Sequence, residues 1–141
     1  MKQLVQNLKN GDVSLLDIPF PEVRPGEVLI ETAASLISLG TEKMLLEFGK
    51  GNWINKARLQ PDKVKQVMDK IRTDGVKPTV KAVFSKLDRP MPMGYSQVGK
   101  VLKVGTGVTK FKEGDVVASN GAHAEIVSVP ENLCALCPED V

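Results

Sequence analysis

The hydrophobic period of this chain changes twice, and that limits what it can fold into. In Glu27-Val28-Leu29-Ile30-Glu31-Thr32 the pattern is the near-alternation of a half-buried strand. From Met44 the spacing turns helical. Met44, Leu45 and Phe48 suit a short helix closed by Gly49 or Gly51. Pro61 suits a first helical turn, and Asp62 follows where a negative charge favours the positive end of the helix dipole. Val64, Val67, Met68 and Ile71 then recur on one helical face until Asp74-Gly75. Val76, Val80, Val83, Phe84 and Leu87 form a second stripe, stopped by Pro90 and Pro92. Alternation returns over residues 98–104 and 124–129, with a short buried strand at 115–118 between them. The expected fold class is therefore α+β, with about 45 residues of helix interrupting a β domain.

Shorter pieces fit the same frame. Residues 4–6 and 13–18 read as strands, the second following the turn pair Gly11-Asp12. The string from Pro19 to Gly26 holds three prolines, so it forms neither a helix nor a central strand. Gly105-Thr106-Gly107 turns the chain between two strands. No internal repeat or low-complexity tract occurs.

Length and charge bound the function. The 141 residues suffice for one domain, and the net charge of +2 demands neither a nucleic-acid nor a membrane partner. The charge is uneven, however: residues 43–89 carry twelve Lys/Arg against five Asp/Glu. If the helical stripes face a core, those lysines fall on the solvated face. Trp53 and Phe84 are too few to form a base-stacking platform. No apolar run approaches the ~18–20 residues of a membrane span. The N-terminus lacks the apolar core of a secretion signal. Cys134 and Cys137 make no disulfide framework, and half a zinc site without two further ligands nearby reads as structural cysteine. A cytoplasmic protein is expected.

The stretch Met93-Gly94-Tyr95-Ser96-Gln97-Val98-Gly99-Lys100-Val101 carries a more specific signal, with Gly105, Val108, Phe111 and Gly114-Asp115-Val116-Val117 behind it. Upstream stand Pro21, Pro25 and Gly26-Glu27-Val28-Leu29-Ile30, then Ser38-Leu39-Gly40-Thr41-Glu42; Ala124-Glu125 follows downstream. Together these resemble the catalytic domain of the medium-chain dehydrogenase/reductase family, which includes the zinc alcohol dehydrogenases. The resemblance implies a partly open β-barrel similar to the GroES co-chaperonin, here with a helical insert at about residues 50–90. It covers nearly the whole chain outside that insert. Any one of these motifs alone would be weak.

The departures from the family are informative. Leu39, Tyr95 and Ser96 occupy the positions of the Cys, His and Glu that hold catalytic zinc in zinc members, and none is a common zinc ligand. The four-cysteine structural zinc loop is also missing. The combination of Gly40-Thr41-Glu42 with Gly94-Tyr95 looks like the zinc-free branch, including the dehydrogenase halves of two-part bacterial oxidoreductases. The family's Rossmann domain, with its Gly-x-Gly-x-x-Gly turn, has no counterpart here, since Gly105-Thr106-Gly107 keeps only two glycines and leads into no helix. The chain stops at Pro138-Glu139-Asp140-Val141, where the family leads into that domain, and so reads as one domain of a longer protein.

The resemblance implies a substrate-side domain of a zinc-independent, NAD- or NADP-dependent oxidoreductase acting on alcohol, ketone or sugar-type substrates. It should be inert alone, with the dinucleotide held by a C-terminal Rossmann domain and a homo-oligomer left open. Tyr95 and Thr41 are the candidate catalytic hydroxyls, and Glu42 and Ser96 the candidate substrate-binding residues. No metal ligand is expected. Each has a plainer reading. Tyr95 is either a proton donor or a barrel-rim tyrosine with one hydrogen bond. Thr41 either relays a proton or caps the helix that follows, and both can hold. His123, the only histidine, reads as an exposed turn residue ahead of a general base. Two rivals remain: a non-enzymatic binding module using the basic helices, and a co-chaperonin-like subunit.

Overall fold

The computed structural model describes residues 1–138 and, for Trp53, the backbone alone; residues 139–141, with the chain-end reading that rests on them, lie outside it. The chain divides into two compact units. One comprises residues 1–5, 14–39 and 92 onward; the other comprises residues 6–13 and 40–91.

The first unit is built on two open sheets. A three-stranded sheet has the order β2-β1-β4, from β1 (Lys2–Gln6), β2 (Val13–Asp17) and β4 (Met91–Pro92). A five-stranded sheet has the order β7-β3-β5-β6-β8, from β3 (Glu27–Ser35), β5 (Gln97–Val104), β6 (Val116–Ser119), β7 (Ile126–Pro130) and β8 (Cys134–Leu136). Neither sheet closes on itself, which is the open form of the expected GroES-like architecture. β3 is an interior strand, antiparallel to both β5 and β7, with Val28 opposite Val104 and Val129, and Ile30 opposite Val101 and Val127. The β3–β5 register shifts twice, between Leu29 and Ile30, where Leu102 of β5 is skipped, and between Thr32 and Ala34 of β3.

Alternation decides which face is inside. Val28 and Ile30 point inward with Val101, Val117, Val127 and Val129, and Phe111 and Ala124 complete the buried cluster. Two family glycines have a packing cause. A Cβ on Gly99 would run into the Glu31 carbonyl oxygen, and one on Gly105 into that of Arg24. Each marks a close backbone approach that only glycine permits.

The second unit holds four helices: α1 (Thr41–Lys50), α2 (Trp53–Leu59), α3 (Pro61–Asp74) and α4 (Val76–Leu87). Pro61 opens α3 as expected, and Gly75 follows it at φ 87°, a left-handed conformation suited to glycine. Gly51 rather than Gly49 closes α1. The short α2, not foreseen as a separate helix, is capped by Asn52, whose side chain accepts from the Asn55 N–H at 2.9 Å.

The helical stripes do not form a core, contrary to the sequence expectation. Val64, Met68, Val76, Val80 and Phe84 are 37–59% exposed. α3 and α4 pack against each other, and Val67, Ile71, Val83 and Leu87 are half-buried while the rest of the stripes stays open. This unit buries polar groups instead. Lys56 is buried, its Nζ donating to the carbonyls of Leu8 at 2.7 Å and Lys9 at 3.1 Å; desolvation lowers its pKa from the usual lysine value. Among the described residues, no helix is long and apolar enough to cross a membrane.

Candidate active-site loop

The chain leaves β4 through Met93, which is buried and held on both sides by backbone bonds. Its N–H donates to Leu4 O at 3.0 Å, and its carbonyl accepts from the His123 N–H at 2.7 Å. Gly94 then takes φ 86°. The left-handed bend throws Tyr95 outward, 42% exposed. Ser96 is half-buried and its carbonyl accepts from the Leu36 N–H at 3.0 Å, tying the loop to the segment after β3. That segment is apolar and open: Leu36, Ile37 and Leu39 are exposed, Leu39 at 82%. Tyr95 and Ser96 thus stand together in the first unit, beside an exposed apolar edge.

Thr41 and Glu42 belong to the second unit. Thr41 is the first residue of α1, and the capping position falls on Gly40, whose backbone is helical and which offers no side-chain bond. The capping role read from sequence is therefore not the one Thr41 has. Its hydroxyl lies on an exposed residue at the helix start, while Glu42 is buried in the first turn. A carboxylate there sits at the favourable end of the helix dipole.

His123 is not an exposed turn residue. It is buried, 9% exposed, because Leu4 N–H donates to its carbonyl at 2.9 Å while its own N–H bonds Met93. The same unit holds a residue pair the sequence reading missed. Gln97, opposite Ser119 in the β5–β6 ladder, is buried, and its Nε2 donates to Ser119 Oγ at 2.6 Å. The Gly121 N–H donates to the same oxygen at 3.2 Å. A polar residue on the inward face shared with Gly99 and Val101 was the available signal.

Two carboxyl and thiol groups carry shifted pKa values. Glu131 lies below the usual carboxylate range because the backbone N–H groups of Lys110, at 2.6 Å, and Thr109, at 2.7 Å, donate to its Oε1. The Cys134 thiol is pushed up by burial and by the Glu131 charge, both of which disfavour the thiolate. That agrees with a structural role for this cysteine.

The cofactor question can be put to the residues themselves. A dinucleotide cradle needs unspent backbone donors at a glycine turn opening a helix. At the Gly105 turn, the Gly105 N–H donates to Glu27 O at 2.8 Å, the Val108 N–H to Gly105 O at 3.2 Å, and the turn follows β5 with no helix behind it. These residues do not fit a dinucleotide phosphate. Leu39, Tyr95 and Ser96 lack the thiolate, imidazole and carboxylate that suit zinc. Among the described residues no three His, Cys, Asp or Glu side chains gather in a metal-holding group. The first unit also has a cleft of about 940 Å³, walled by Pro19, residues 21–25, residues 120–122 and residues 127–130.

Residues 63–139, more than half the chain, match the alcohol dehydrogenase GroES-like domain. The chain belongs to that family. It is therefore a GroES-like N-terminal domain of the medium-chain dehydrogenase/reductase type. A chloroplastic NADPH-dependent alkenal/one oxidoreductase of Arabidopsis thaliana is 38% identical over 72 residues, 41% of this chain and 19% of that protein. Two solved structures share the fold over all of this chain. The quinone oxidoreductase of Coxiella burnetii has a TM-score of 0.64 at 18% identity, with 38% of its length covered. The Escherichia coli quinone oxidoreductase, solved in complex with NADPH, has a TM-score of 0.63 at 16% identity, with 34% covered. This GroES-like domain thus spans little more than a third of those structures.

Proposed function

We propose that this chain is the substrate-side domain of a zinc-independent, NAD- or NADP-dependent oxidoreductase. In this reading the dinucleotide is held by a Rossmann domain outside residues 1–141, and the domain alone is inert. The substrate is a small carbonyl compound or its alcohol, of ketone or sugar type, and the location is cytoplasmic. The observation that carries the reading is Tyr95. At the position where zinc members place a metal ligand, a left-handed glycine delivers a phenol to an exposed, apolar edge. When a carbonyl carbon is reduced, its oxygen gains charge and takes a proton. Tyr95 supplies that proton from its hydroxyl and regains one from solvent. Ser96 offers a second hydroxyl to the substrate; Thr41 as a catalytic hydroxyl and Glu42 as a substrate-binding carboxylate are supported by the family resemblance alone.

Names of relatives supply the probes. The intact protein is assayed for NADPH consumption with a ketone, a 2-alkenal and a benzoquinone, before and after exhaustive chelation. Turnover of at least one probe, unchanged by the chelator, is expected. Activity that disappears on chelation and returns with added zinc contradicts the reading.

A further inference from the structure

We infer that His123 is a positioning residue whose imidazole face sets the bend at Gly94 and so aims Tyr95. The inference rests on the proposed role of Tyr95 only for its kinetic consequence. Its structural content stands on the packing around Gly94.

A Cβ built on Gly94 would lie 2.6 Å from His123 Cγ, 2.6 Å from Cδ2 and 2.7 Å from Cε1. Near-equal distances to atoms on both sides of the ring put that point over the ring face, not at its edge. Gly94 is thus required twice, by its positive φ and by the imidazole beneath it. The His123 backbone is clamped between Leu4 and Met93 by bonds of 2.9 and 2.7 Å, which fixes the point from which the ring projects. Two residues on, the Leu36–Ser96 bond fixes the other side of Tyr95. The tyrosine backbone therefore hangs between a flat aromatic floor and a backbone tether. What the site needs from His123 is a buried planar surface of the right thickness.

The chain holds one tyrosine and one histidine, so each ring gives an unambiguous magnetic-resonance signal. The test compares His123→Ala and His123→Phe in this chain, reading the Tyr95 ring resonances and the methyl resonances of Ile30 and Val101. We expect His123→Ala to shift and broaden the Tyr95 signals while the core methyls stay in place, and His123→Phe to restore them. In the intact enzyme, misplacement by about an ångström predicts that His123→Ala lowers kcat by roughly tenfold or more, with His123→Phe within about threefold of wild type. Should His123→Ala fail to fold, His123→Leu, which fills the volume without a flat face, replaces it under the same criteria. Tyr95 signals unmoved by loss of the ring overturn the inference. So does a His123→Phe enzyme as impaired as His123→Ala, because that outcome makes the imidazole nitrogens, not the plane, the necessary feature. The resonance arm stands even if Tyr95→Phe proves kinetically silent, so failure of this inference and failure of the proton-donor reading are separable.

Discussion

Glu131 shows how a single side chain can hold a loop that the fold depends on. Its carboxylate closes the Thr109–Lys110 turn while its own N–H donates to Gly26 O at 2.9 Å. Its pKa is depressed in the folded state, so the stabilisation is present above the unfolded value, near ~4.3, and is lost as pH falls below it. Thermal melts of Glu131→Gln should therefore fall below wild type at neutral pH and converge with it in acid. A gap that persists undiminished at low pH would mean that the charge is not what matters. Gly99 gives a second expectation. Gly99→Ala must push its Cβ against the Glu31 carbonyl, and a denaturant titration should show a loss of about 1–3 kcal/mol or more. The motif glycines were visible in the sequence, but the reason for them was not. Gly99, Gly105 and Gly94 each answer to a partner far along the chain. His123 was misread for the same reason, since nothing local to Ala122-His123-Ala124 announces Met93 and Leu4.

Elements differed in how far the sequence exposed them. β3, β5 and β7 were legible because alternation is enforced by a sheet with one face inside, and their boundaries moved by only a few residues. α3 and α4 were legible as helices, yet their burial was not. Periodicity says that a face is apolar; whether another layer covers it is a tertiary fact. α2 was missed as a separate helix because seven residues hold too few turns to display a period, although Asn52 three residues ahead of Asn55 was a usable cap signal. Two substitutions check this account. Met68→Gln on the open face of α3 should change stability by no more than about 0.5 kcal/mol. Asn52→Ala should cost about 1 kcal/mol by removing the cap. A loss of several kcal/mol for Met68→Gln would mean that the stripe is packed after all. By contrast, Ile30→Ala, in the fully buried centre of β3, should cost about 2–5 kcal/mol.

At the scale of the whole molecule, the family assignment explains the architecture, while the chemistry proposed above rests on the residue types at Leu39, Tyr95 and Ser96. Most of that was legible as residue types at family positions. The packing of Gly94 against the His123 ring was not, because it depends on how the chain after β4 meets the turn before β7. The Gly105 turn, which opens no helix, also carries an expectation: calorimetric titration of this chain with NADPH should show no binding tighter than about millimolar. The most direct test of the central claim is the steady-state kinetics of Tyr95→Phe in the intact enzyme, a change that keeps the ring and deletes only the hydroxyl. If that hydroxyl donates the proton, kcat falls by about ten- to a thousandfold with KM little changed. Wild-type kcat in Tyr95→Phe would contradict the account and remove the phenol from the mechanism.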